Sequence, residues 1–84
     1  AEHQRQTALT AKVEREVGEF GAFVESLGGY GGTAAQGSQD LAAARAELAR
    51  AKAAGEDVAA STRQLEALSG RLKTQTSTLA RLRD

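Results

Sequence analysis

Five large apolar residues in the first part of the chain recur at alternating intervals of four and three positions. This spacing places them along one face of an α-helix, in the pattern by which packed helices bury a narrow apolar stripe. We call this set the first seam; it consists of Val13, Val17, Phe20, Val24 and Leu27. Phe23 widens the same face. The pattern predicts an amphipathic helix over residues 2–27.

A second apolar set lies in the last third of the chain. We call it the second seam; it consists of Leu65, Leu68, Leu72 and Leu79, with Val58 and Leu82 predicted at its two ends. Between the seams, Leu41 and Leu48 stand seven residues apart in an alanine-rich stretch, which predicts a slender helix. Leu48 and Val58 are ten residues apart, so the register changes near Gly55.

The composition favours helix throughout, because the chain has no proline and 18 of its 84 residues are alanine. We predict an all-α fold: a three-helix bundle, or a helical hairpin with coiled-coil seams. The helices are expected at 2–27, 38–54 and 57–83. In one alternative, Gly55 ends the second helix and Asp57 caps the third. In the other, the last two helices are continuous. The change of register favours three helices.

Residues 1–84 are expected to form a single helical domain or to be an excised fragment. Within them, residues 28–37 contain five glycines and are predicted to be a flexible loop. Tyr30, which stands between two glycine pairs, is either a ring that folds back over the end of the bundle or an exposed contact for a partner. Gly18 inside the first helix is either a tolerated weak point or, with Ala22, a small-residue ridge for close helix packing.

The stretch Ala51-Lys52-Ala53-Ala54-Gly55-Glu56-Asp57, followed by leucine-spaced helix, resembles the tip of the antiparallel coiled-coil arm of seryl-tRNA synthetases. In that family the Gly-Glu-Asp lies at or near the reversal between two helices, and the arm packs on tRNA. The resemblance covers about twenty residues and implies a turn at this point. Residues 1–37 do not match such an arm.

Neither catalytic chemistry nor a cofactor or metal site is predicted, so the chain is not expected to be an enzyme. It has no cysteine and a single histidine, His3, which cannot build a multi-histidine metal site. The glycine-rich segment lacks the lysine that a phosphate-binding loop requires after its last glycine. No apolar run is long enough to span a membrane. The formal net charge of zero argues against a dedicated nucleic-acid binder.

Sixteen large apolar side chains are few for a chain of this length, so we expect a second chain to supply further buried surface. The leading hypothesis is a helical interaction or assembly module that pairs its seams with partner helices of its own or another kind. The predicted interface residues are Val17, Phe20, Val24, Leu27, Tyr30, Leu65, Leu68, Leu72 and Leu79.

The alternative hypothesis is an adaptor arm that contacts RNA or an anionic surface through the basic residues in 63–83. Residues 58–84 carry five basic and two acidic side chains, whereas the first helix is acidic. Pairing between these helices accounts for the same charges. The last segment also has no aromatic residue for base stacking, so this alternative ranks second.

Overall fold

Three helices form a bundle in the computed structural model, which describes residues 2–83. They are α1 (Glu2–Glu25), α2 (Gly32–Ala53) and α3 (Val58–Arg83), and each packs against the other two. No strand occurs among the described residues. The bundle measures 43 × 17 × 15 Å. The predicted all-α, three-helix architecture is confirmed.

The turn between α2 and α3 is closed by side chains on both sides of it. Asp57 caps α3, since its Oδ1 accepts the backbone N–H of Ala60 at 3.1 Å. Ser61 is buried and donates its hydroxyl to the carbonyl oxygen of Ala51 at 3.0 Å. From α1, Gln6 donates its amide to the carbonyl of Gly55 at 2.8 Å. The predicted turn is confirmed, and the continuous-helix alternative is wrong.

α1 and α3 run in the same direction, with α2 antiparallel to both. At one end, the beginning of α1 touches the turn before α3 through Gln6 and Gly55. At the other end, the guanidinium of Arg83 lies over the ring of Phe23, 5.7 Å from its centroid. The end of α1, the beginning of α2 and the end of α3 therefore share one end of the bundle.

The connection between α1 and α2 is shorter than the predicted loop, since α2 begins at Gly32 rather than at residue 38. Among residues 2–83, Gly31 alone takes a positive φ, of 54°, where glycine is favoured. Gly37 lies within α2, and a Cβ there would stand 3.3 Å from both methyl carbons of Val24. Packing against α1 thus holds a glycine-rich stretch in a helix that its intrinsic propensity disfavours.

The two seams face each other inside a single core, which a third set of residues from α2 completes. Small residues let the helices come together: Gly21 on α1 faces Leu41 of α2, and Ala44 and Ala51 are buried on α2. The chain's own helices cover both seams, because this close approach lets few large side chains fill the core. The buried hydrophobic residues are Val13, Val17, Phe20, Val24, Leu27, Leu41, Ala44, Ala51, Leu65, Leu68, Leu72 and Leu79.

Gly18 and Gly70 are exposed positions inside helices, and a Cβ at either would meet no other heavy atom within 4 Å. Gly18 is therefore the tolerated weak point rather than part of a close-packed ridge.

We expect Gly18→Ala and Gly70→Ala each to raise the free energy of unfolding by about 0.5–1 kcal/mol, because alanine loses less backbone entropy in a helix. Urea unfolding followed by circular dichroism measures this gain. A destabilised Gly18→Ala protein would show that Gly18 is packed after all.

Candidate partner-binding surfaces

Eight of the nine predicted interface residues lie in the core of their own chain. The four from the first seam and the four from the second are each at most 7% exposed, because the seams pack on one another. In this fold the eight seam residues are not available to a partner helix, so a contact surface would have to involve other residues. Tyr30, the ninth, is 49% exposed.

Tyr30 and Leu82 are the exposed large hydrophobic residues of the described chain, and we call their surroundings the Tyr30–Leu82 end. Tyr30 lies between α1 and α2, and Leu82 in the last turn of α3, so the topology brings both to the same end of the bundle. The backbone of Tyr30 is held by hydrogen bonds, since its N–H donates to Leu27 and its carbonyl accepts from Thr33. The Tyr30 ring is half-exposed, so it is not buried against the end of the bundle.

Leu82 was predicted at the end of the second seam but is 60% exposed. Leu68 follows Leu65 by the same three residues and is buried, so the exposure of Leu82 goes with its place in the last turn of α3 and not with its spacing. Leu79 is buried and fills the last core position of α3. The heptad spacing alone did not distinguish these two leucines.

A groove between α1 and α3 has a volume of about 410 Å³ and combines charged, aromatic and hydroxyl side chains. We call it the α1–α3 groove. One carboxylate oxygen of Glu16, Oε1, is buried without a hydrogen-bond partner among the described residues. Sequence reasoning missed this groove, because glutamates such as Glu16 and Glu19 are typical of a solvated helix face. The lining residues are Glu16, Glu19, Phe20, Phe23, Ser69, Leu72, Lys73, Thr76 and Ser77.

A second groove, of about 440 Å³, lies where the beginning of α1 meets the turn before α3. His3 and Glu14 both line it, but Glu14 pairs with Lys52 at 3.1 Å. No hydrogen bond orients the His3 ring among the described residues, and a histidine base needs such an orienting partner. Within residues 2–83, no group of three or more His, Cys, Asp or Glu side chains is arranged to hold a metal ion.

The basic residues of α3 do not share one face. Arg71 forms an ion pair with Glu47 of α2, whereas Lys73 lines the α1–α3 groove. Arg83 lies over Phe23 of α1. Arg5 on α1 forms an ion pair with Glu66 on α3, which is the reverse of the predicted pairing between acidic residues of the first helix and basic residues of the last.

Comparison with protein-family models, with curated proteins and with solved structures gave no match for this chain. None of the three described helices combines the length and the hydropathy that crossing a bilayer requires.

Proposed function

We propose that this chain is a non-catalytic helical interaction module, which acts as a folded bundle and contacts partner helices through the Tyr30–Leu82 end. One observation carries the proposal: the large apolar side chains of the described residues are buried or partly buried except Tyr30 and Leu82, which lie at the same end of the bundle. The simplest partner is a second copy of the chain, since the same end would then meet itself around a two-fold axis.

The chemistry of this end suits a protein contact. Tyrosine and arginine are enriched among residues that anchor interfaces, and the exposed Arg81 stands next to Leu82. The separation of Arg71 from Lys73 on α3 favours a protein partner over RNA, which calls for a continuous basic surface. Two side chains cover much less than the roughly 1,200 Å² of a stable interface, so weak, reversible association is expected.

A dilution series followed by ¹⁵N-resolved NMR tests the proposal. We expect amide resonances around Tyr30 and Leu82 to move with protein concentration, and translational diffusion to slow as concentration rises. The double variant Tyr30→Ser/Leu82→Ser should remain monomeric with an unchanged thermal midpoint, because both side chains are exposed in the folded chain.

The matched control is Ala42→Ser/Ala46→Ser, which places the same residue type at two exposed positions of α2. This variant should associate as the parent does. A parent protein that stays monomeric at every concentration, or that associates through α2, would contradict self-association through the Tyr30–Leu82 end.

A further inference from the structure

We propose that the α1–α3 groove binds an organic cation, an ammonium or guanidinium group carried on a short alkyl chain. The first observation is a pair of unsatisfied polar groups. Glu16 Oε1 is buried without a partner, and Ser69 is 6% exposed while its hydroxyl bonds to no other described residue. Both side chains line the groove. Buried polar groups are normally paired, so the Glu16 carboxylate calls for a hydrogen-bond donor from outside the bundle, and the Ser69 hydroxyl is available to accept a second one in the groove.

The charges in the groove select a cation. Two carboxylates, from Glu16 and Glu19, line it against the single ammonium of Lys73. Lys73 makes no ion pair with either of them within 4.0 Å. A bound ammonium or guanidinium group has N–H donors for a carboxylate and for a hydroxyl oxygen at the same time. Glu16 is only partly buried and lines the groove, so its carboxylate can reach such a group.

The remaining walls accommodate the alkyl chain. Leu72 and the rings of Phe20 and Phe23 supply apolar surface beside the carboxylates. Phe23 already has one cation over its ring, the guanidinium of Arg83. Arg83 already supplies the cation at that ring, so Phe23 offers the ligand apolar surface for its stem rather than a second cation site. The volume of about 410 Å³ lies within the range of small-molecule sites.

The test is an NMR titration of the whole chain with n-butylammonium chloride at constant ionic strength. The titration extends to about 100 mM, because one charge-assisted contact in an open groove supports only weak binding. We expect saturable shifts of amides in residues 16–23 and 69–77. Butanol, the neutral analogue, should bind at least about tenfold more weakly, since it lacks the charge.

Variants locate the site. Glu16→Gln keeps the shape and removes the charge, and it should weaken binding about tenfold. Glu25→Gln is the matched control, because it removes the same charge from an exposed position of α1 outside the groove; it should leave binding unchanged. Lys73→Gln removes the competing ammonium and should tighten binding. Circular dichroism confirms that each variant is folded.

A blocked pentapeptide with a central lysine, compared with its leucine counterpart, distinguishes the source of the cation. Tighter binding of the lysine peptide than of butylammonium assigns the groove to a basic side chain of a partner protein. Binding of butylammonium alone assigns it to a free amine.

The proposal is overturned if neither ligand gives saturable shifts, or if Glu16→Gln binds like the parent. It is also overturned if Lys73→Gln lowers the thermal midpoint without tightening binding, since Lys73 would then be the internal partner. Self-association at the Tyr30–Leu82 end is measured by the dilution series, whereas cation binding in the α1–α3 groove is measured by the titration. Either proposal can therefore fail without the other.

Discussion

Leu65→Ala is expected to lower the free energy of unfolding by about 2–5 kcal/mol. Leu65 is completely buried where the second seam faces the first, so removing its side chain loses apolar burial and leaves a cavity. Domains of this size are stabilised by only about 5–10 kcal/mol, so much of the total stability would be lost. Urea unfolding followed by circular dichroism measures the change.

Leu82→Ala is the matched control, with the same substitution on the same helix at a side chain that is 60% exposed. It should change the free energy of unfolding by less than about 0.5 kcal/mol. Equal losses in the two variants would contradict the packing described here. They would support a leucine stripe that extends to Leu82, as the heptad spacing predicted.

Gly37→Leu is expected to destabilise the chain by about 1–3 kcal/mol or more. A Cβ at this position would already stand 3.3 Å from the Val24 methyl carbons and 3.4 Å from Leu27 Cδ1, so a larger side chain forces the beginning of α2 away from α1. Leucine is otherwise a far better helix former than glycine, and the expected loss therefore runs against intrinsic propensity. Thermal and urea unfolding both measure it.

The control for this prediction is Gly70→Leu, because the space around Gly70 is open. This variant should be neutral or somewhat more stable, since helix propensity acts there without a steric penalty. If Gly37→Leu were also stabilising, residues 32–37 would not pack against α1. The connection between α1 and α2 would then be longer than the one seen here.

Apolar spacing predicted the three-helix fold because a helix shows its buried face at intervals of three and four residues. The first seam is buried over its whole length, and Asp57 caps α3 as expected. The same reasoning failed at residues 32–37. Glycine content indicates a weak helix, but it carries no information about a neighbouring surface that stabilises that helix.

The candidate sites were less accessible to sequence reasoning. Tyr30 was identified from its isolation among glycines, and it is exposed. The α1–α3 groove was missed because its acidic and hydroxyl residues are far apart in sequence and each is typical of a solvated helix face. They meet because α1 and α3 run side by side in the same direction.

The amino-acid sequence by itself determined that this chain is helical and which side of each helix is apolar, and it favoured a turn at Gly55 over a continuous helix, because these properties depend on residues within a few positions of each other. Only the tertiary structure decided that the two seams bury each other, that α2 begins at Gly32, and that Glu16 and Ser69 line one groove. Those outcomes depend on how closely three helices approach one another. That distance is governed by small residues whose effect appears only when a second helix lies against them.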